Sequence, residues 1–282
     1  MKIKKLLIVI ITLLITVSLV YINAFYININ TLKVREETIR SEKISQNLQG
    51  LTIAFVSDLH YSKRISENIM NELVEKINMF DVDVILFGGD LFEYEIDDLS
   101  YDIQNELIDY LKQLNAPYGK YAVLGNHDLY DTGIKEIVER VLYESEFEII
   151  TNKSVMIRKN SNEYINLVGI DSLLNGNPDI EAAYSQIRNN AYTIALCHTP
   201  DTFESIPYEK TDLMLSGHSH GGQIYMPFIN SLFRPIGAKN YFKGKYTQDD
   251  TILDITNGIG TTKKDIRLFA DAEIVIYKFM SN

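Results

Sequence analysis

Leu51-Thr52-Ile53-Ala54-Phe55-Val56-Ser57-Asp58-Leu59-His60 is an apolar run that stops at a carboxylate and an imidazole. A short apolar run bounded by polar residues reads as a buried strand. A polar motif at the carboxyl end of such a strand reads as the place where a sheet meets its ligand. The pattern recurs down the chain. Residues 82–87 lead into Gly88-Gly89-Asp90, and 121–124 into Gly125-Asn126-His127-Asp128. Residues 192–196 lead into Cys197-His198-Thr199-Pro200, and 213–215 into Gly217-His218-Ser219-His220. All five histidines of the chain lie in these motifs. For any one of them a satisfied core or surface histidine is the better reading. Together with Asp90, at five strand ends, they point to one multidentate metal site, because neutral imidazole is the commonest metal ligand.

Helical periodicity fills the intervals. Ser66 is placed to cap a helix carrying Ile69, Leu73 and Ile77, and residues 101–114 form the next helix. Ile134, Ile137, Val138, Val141 and Leu142 make one stripe over 134–142. Residues 154–157 and 164–170 read as paired strands around a polar turn at 160–162, and 180–187 as a helix. The tail (251–255, 266–269, 274–277) is strand-like and lacks helices. The expected fold class is therefore α/β, a layered domain with sheets packed together and helices outside.

The N-terminus is of another kind. No charged side chain occurs from Leu6 to Leu32, and about 20 apolar residues suffice to cross a bilayer. Lys2, Lys4 and Lys5 precede this stretch, and the residues around Ala24 make a poor cleavage site, so an uncleaved signal-anchor is expected. The expected organisation is a transmembrane anchor over 1–29, a stalk with a lead-in strand over 30–49, and the domain over 50–282. The lysines favour an inside N-terminus and thus a single-pass cell-membrane protein with its domain outside the cytoplasm. With 38 acidic against 27 basic residues, a nucleic-acid partner is not expected. Cys197 is the single cysteine and reads as a buried core thiol.

Asp58, His60, Asp90, Asn126, His198, His218 and His220 form a mixed nitrogen and oxygen donor set. It suits Mn, Zn or Fe better than Ca or Mg. Seven donors are too many for one tetrahedral ion, and two divalent ions sharing a carboxylate fit better. Such a pair supports in-line displacement at phosphorus. In order and spacing these motifs resemble the calcineurin-like metallophosphoesterases over roughly residues 50–280. Gly221-Gly222-Gln223 looks like a membrane-associated bacterial branch that includes phosphodiesterases and a UDP-diacylglucosamine pyrophosphatase. The resemblance implies a four-layer α/β/β/α sandwich and attack by a metal-bridging hydroxide on a phosphodiester or pyrophosphate. It implies one metal on Asp58, His60, Asp90 and His220, and the other on Asp90, Asn126, His198 and His218. His127 would then assist the leaving group, oriented by Asp128. The segment before Glu273 lacks the proline that the resemblance leads one to expect.

Substrate contacts are less sharply marked. Tyr61, Lys63 and Arg64 either grip a phosphate or form a solvated loop. Residues 226–245 mix Phe228, Ile229, Leu232, Phe233, Tyr241 and Phe242 with Arg234, Lys239, Lys243 and Lys245. That composition suits a bilayer or a lipid-linked phosphate ester, although a packed loop is preferred. The alternative to an enzyme is a catalytically silent metal-binding scaffold on the same fold.

Overall fold

Strands that are apolar on both faces need cover on both sides, and this sets the architecture. The structure is a computed structural model of the chain that describes residues 2–62, 65–93, 99–159, 162–226, 230–231 and 234–282. In chain order its strands are β1 (Leu32–Ser41), β2 (Leu51–Val56), β3 (Val84–Phe87), β4 (Lys120–Ala122), β5 (Phe147–Ile149), β6 (Lys153–Arg158), β7 (Tyr164–Ile170), β8 (Thr193–Cys197), β9 (Leu213–Ser216), β10 (Tyr225–Met226), β11 (Asn230–Ser231), β12 (Gly244–Gln248), β13 (Thr251–Ile255) and β14 (Ala272–Ser281). The α-helices are α1 (Lys2–Ile22), α2 (Glu67–Met79), α3 (Tyr101–Lys112), α4 (Thr132–Glu144) and α5 (Ile180–Tyr184).

Two six-stranded sheets stack face to face, in the orders β1-β14-β2-β3-β4-β5 and β12-β13-β9-β8-β7-β6. Period-2 alternation assigns each side chain to a layer. On β2, Ala54 and Val56 join Ile276 of β14 and the apolar stripes of α2, α3 and α4. Leu51, Ile53 and Phe55 point the other way and meet Ile165, Leu167, Ile194, Leu196, Leu213 and Leu215 between the sheets. The outer face of the second sheet, with Val168, Ala195, Cys197 and Met214, is covered by Ala183 and Tyr184 of α5 and by Phe203 and Ile206. The result is the expected four-layer α/β/β/α sandwich, its fourth layer thin. Ser66 caps α2 by accepting the Ile69 N–H. Cys197 is buried.

Three segments depart from expectation. The stretch expected as a stalk with a lead-in strand supplies a ten-residue strand, β1, parallel to β14. Its alternating exposure reads as polar in sequence because one face of an edge strand is wet. Residues 266–269 are not a strand and contribute only an isolated bridge, Leu268 to Ile224. Burial of the Arg267 side chain and a left-handed Phe269 (φ 52°) prevent extension there. The helix expected over 180–187 stops at Tyr184, where the Ser185 hydroxyl takes the Ala182 carbonyl.

Helix α1 is followed by a π-turn and a 3-10 turn, so residues 3–30 form one helical segment, long and apolar enough to cross a membrane. Its foot is seated on the domain. Ala24 is buried, its carbonyl accepts the Arg267 N–H at 3.0 Å, and Asn28 Nδ2 donates to the Arg267 carbonyl at 3.2 Å.

A charged cluster ties the two sheets together. Arg35 of β1 donates to both oxygens of the fully buried Asp254 of β13, at 2.9 and 3.0 Å, and the Tyr277 hydroxyl donates to Asp254 Oδ2 at 2.7 Å. Removing one partner of a buried pair strands the other. Asp254→Ala is expected to lower the unfolding free energy by about 3 kcal/mol in urea titrations. A loss under about 1 kcal/mol would mean that Glu37 and Glu273 replace it as partners of Arg35.

Candidate metal centre

Five strands end on one edge of the sandwich, and their loops carry every expected donor. Asp58 and His60 follow β2, Asp90 follows β3, Asn126 and His127 follow β4, His198 ends β8, and His218 and His220 follow β9. The backbone is held against its preferences here. Asp58 (φ 53°), His60 (44°), Asp90 (57°), His218 (66°) and His220 (50°) are all left-handed. Each such residue costs about 1–2 kcal/mol, and strain of this kind gathers at functional sites. Gly125 has no side chain because a Cβ there would collide with Asp90 Oδ1, and the Cβ of any residue at 217 would collide with Asp58 Oδ2.

The donor atoms converge. His60 Nε2 lies 3.2 Å from His220 Nε2 and 3.6 Å from Asp90 Oδ2. His220 Nε2 is 3.5 Å from Asp58 Oδ1, and His198 Nε2 is 3.1 Å from Asp90 Oδ2. Ligands bound at about 2.1 Å from one cation stand about 3–3.5 Å from each other, the spacing seen here. Asp58, His60 and His220 form one mutual cluster, and Asp90, His198 and His218 another. Asp90 adjoins both, through His60 and His198. The Asn126 side-chain oxygen is buried without a hydrogen-bond partner.

Backbone carbonyls set the ring tautomers. His198 Nδ1 donates to Gly88 O (2.7 Å) and His220 Nδ1 to Gly260 O (3.2 Å), which leaves Nε2 of each ring facing the donor cluster. Against the effect of burial, Asp90 pushes the His198 pKa up to about 9, so a cation there would take the place of its Nε2 proton. His218 is the reverse: Nε2 donates to Ile236 O at 2.7 Å and leaves Nδ1. Carbonyl-anchored imidazoles of this kind are the usual outer partners of metal sites. With its Nδ1 a donor, His220 Nε2 is an acceptor facing His60 Nε2, a meeting that either a His60 N–H or a shared cation accounts for. The residues therefore fit a divalent-metal centre. Burial pushes the His218 pKa down to about 4 and holds His220 well below the usual imidazole range. Burial alone would raise the Asp90 carboxyl, but the His198, His127 and His60 rings hold it well below the usual carboxylate range.

One carboxylate expected beside His127 is engaged elsewhere, and another, not anticipated, stands there. Asp128 does not serve as the support of the His127 ring. It is fully buried, and its oxygens accept from the backbone N–H groups of Asp90, Leu91 and Gly125, each at 2.8 Å. It thus joins the loops after β3 and β4, and its acid is pushed up to about 6 by burial and by Asp90. The carboxylate beside His127 is Glu93, with Oε1 3.3 Å from His127 Nδ1 and Oε2 3.5 Å from His60 Nδ1. Its sequence signal was an acid three residues after Asp90.

Tyr61 is buried in the core against Phe92 and is not part of a solvated loop. Lys63, Arg64, Phe228, Ile229, Leu232 and Phe233 lie outside the described residues. Of the remaining 226–245 segment, Phe242 is buried under the Arg234 guanidinium and Lys243 donates to Asn257, so this part is a packed loop. A cavity of about 270 Å³ opens over the donors, lined by Asn126, His127, Leu174, Gln223, Ile236 and Lys263 among others.

The profile of the family described as calcineurin-like phosphoesterase matches residues 51–222. The chain is 30% identical to an uncharacterised metallophosphoesterase, YkuE, of Bacillus subtilis, over 87% of this chain and 85% of that one. It is 25% identical to the UDP-2,3-diacylglucosamine pyrophosphatase LpxG of Chlamydia muridarum, over 85% and 86%. It is 29% identical to the phosphodiesterase YaeI of Escherichia coli, over 76% and 77%.

Asp128→Ala removes the clamp between two donor loops and leaves three buried N–H groups without an acceptor. Metal content after dialysis, read by plasma mass spectrometry, is expected to fall while the chain stays folded. Unchanged metal content in Asp128→Ala would show that the loops hold without it.

Proposed function

We propose, for a chain that belongs to the calcineurin-like phosphoesterase family, that it is a membrane-anchored enzyme cleaving a phosphodiester or pyrophosphate bond of a lipid-linked substrate. The observation that carries the reaction is the convergence of His60 Nε2 and His220 Nε2 with the carboxylates of Asp58 and Asp90. One ion is assigned to Asp58, His60, Asp90 and His220, the other to Asp90, Asn126, His198 and His218, with Asp90 shared. Two divalent ions so held, Mn, Zn or Fe by donor type, would supply a hydroxide nucleophile at neutral pH and offset the charge of the phosphoryl oxygens.

The protein's own part falls to His127. Its N–H donates to Asp90 Oδ1 at 2.8 Å, which fixes its backbone beside the donors, and its ring lines the cavity. Burial would lower its pKa, but Asp90 and the adjacent Glu93 raise it, which favours the protonated ring. With Glu93 at Nδ1, the Nε2 proton is the one delivered to the leaving oxygen. Glu93 fixes the ring's orientation.

The anchor and the cavity together favour an amphiphilic substrate. The foot of α1 contributes Ile29 and Asn30 to a cleft that also holds His60 and Gly260. The cavity over the donors carries the exposed Ile236 on its lining. A substrate whose tail lies in the same bilayer reaches such a site without leaving the membrane surface. The relative LpxG, named for a diacylated sugar nucleotide, is in keeping with this. The lysines before α1 favour the domain on the extracytoplasmic side.

Full-length protein in detergent with Mn²⁺ is expected to hydrolyse aryl phosphodiesters, and lipid pyrophosphates in mixed micelles faster. Inertness on mono-, di- and pyrophosphates alike, with no effect of Asp90→Ala, would leave the silent scaffold as the reading. Equal rates on micellar and water-soluble substrates would remove the lipid preference. His127→Ala is expected to lower kcat by about 10²–10⁴ with metal content unchanged. Retention of wild-type kcat in that variant would take His127 out of the reaction.

A further inference from the structure

Among the described residues Arg267 is the largest fully buried side chain, and none of its described hydrogen bonds goes to a carboxylate. Its guanidinium instead gathers main-chain oxygens. Nη1 donates to Asn257 O at 3.0 Å and Ala270 O at 2.7 Å. Nη2 donates to Asn257 O at 3.0 Å, Gly258 O at 3.2 Å and Gly260 O. Four carbonyl dipoles thus face one cation. Burial pushes its pKa down to about 10, which still leaves it charged at neutral pH. Only a planar fork with five donors serves so many acceptors from one point.

The loop that Arg267 gathers, residues 257–260, runs beneath half of the metal centre. Gly260 N–H donates to Asp58 O at 2.8 Å, and Ile259 N–H reaches Asp58 O at 3.3 Å. A Cβ on Gly258 would stand 2.6 Å from Asp58 Cβ. Gly260 O accepts from His220 Nδ1, the bond that leaves His220 Nε2 as a lone pair. His198 and His218 are steadied elsewhere, by Gly88 O and Ile236 O. No contact of residues 258–260 described above reaches Asn126, His198 or His218.

We propose that Arg267 is a positioning residue for one half of the metal centre: through the carbonyls of the 257–260 loop it sets the His220 ring and the Asp58 backbone. It thereby sets the affinity for the ion assigned to Asp58, His60 and His220. The inference rests on the two-ion reading above. A side chain that merely plugged the core would act on both ions alike. Loss of an outer partner of a ligand costs about 10–100-fold in metal affinity, and here that loss falls on one ion.

The test is calorimetric titration of full-length, metal-stripped protein in detergent with Mn²⁺, with Co²⁺ absorption as a second readout. His220→Ala and His218→Ala first identify which binding step belongs to which half. In Arg267→Lys, which keeps the charge and loses the fork, the step abolished by His220→Ala is expected to weaken about 10–100-fold. The step abolished by His218→Ala should change less than about threefold. Equal weakening of both steps, or no change in either, overturns the proposal. If neither histidine variant removes a step, the two-ion reading itself fails. Should Arg267→Lys not fold, Arg267→Gln carries the test, since it keeps amide donors toward the loop carbonyls and loses the guanidinium fork. Selective weakening of the His220 step then supports the proposal, and equal or absent effects overturn it.

Discussion

Burial of carboxylates at one edge of the sandwich is the constraint from which the rest follows. Asp58, Asp90 and Asp128 are all but inaccessible, as are His60 and His198. Charges taken out of water are tolerated only when paired and hydrogen-bonded. Each carboxylate here is met by main-chain N–H groups: Asp58 by His218, Asp90 by His127, and Asp128 by three residues of two loops. These bonds run between loops distant in sequence, so the charges that make a site also close the loops around it. The left-handed backbone at five of the donors is the conformational cost of turning those loops inward. The glycines at 125 and 217 are needed because a Cβ would occupy the space of Asp90 and Asp58 oxygens.

Much of this was legible in the sequence, for a physical reason. A strand buried on both faces writes a short apolar run, and a polar motif after it marks the sheet edge. Five such junctions gave β2, β3, β4, β8 and β9 with their donors. What escaped were relations between residues that the local pattern does not encode. Asp128 follows His127 and so reads as its partner, but neighbouring side chains point apart, and Asp128 turns to the β3 loop while Glu93 comes across to His127. Arg267 sits in the run Ile266-Arg267-Leu268-Phe269, which alternates like a strand with a solvated arginine. Its burial depends on carbonyls from a loop several residues upstream. The edge strand β12 is mostly exposed, and its polar sequence carries no apolar run to find it by.

Family membership and geometry meet at the phosphorus chemistry, and the N-terminal apolar helix is what motivates the proposed lipid-linked substrate. The foot of α1 is not a loose tether, since Ala24 and Asn28 fasten it to Arg267, whose guanidinium holds the loop beneath Asp58 and His220. The apolar N-terminal helical segment, long enough to cross a membrane, and the metal centre therefore share one segment of the fold.

The central claim is that the buried donors hold two ions joined by Asp90. An anomalous-difference map from crystals grown with Mn²⁺, recorded on both sides of the manganese edge, tests it most directly. Two peaks about 3.5–4 Å apart, one against Asp58, His60 and His220, the other against Asn126, His198 and His218, with Asp90 between them, are the expected result. A single peak, or density seated away from Asp90, would contradict the account.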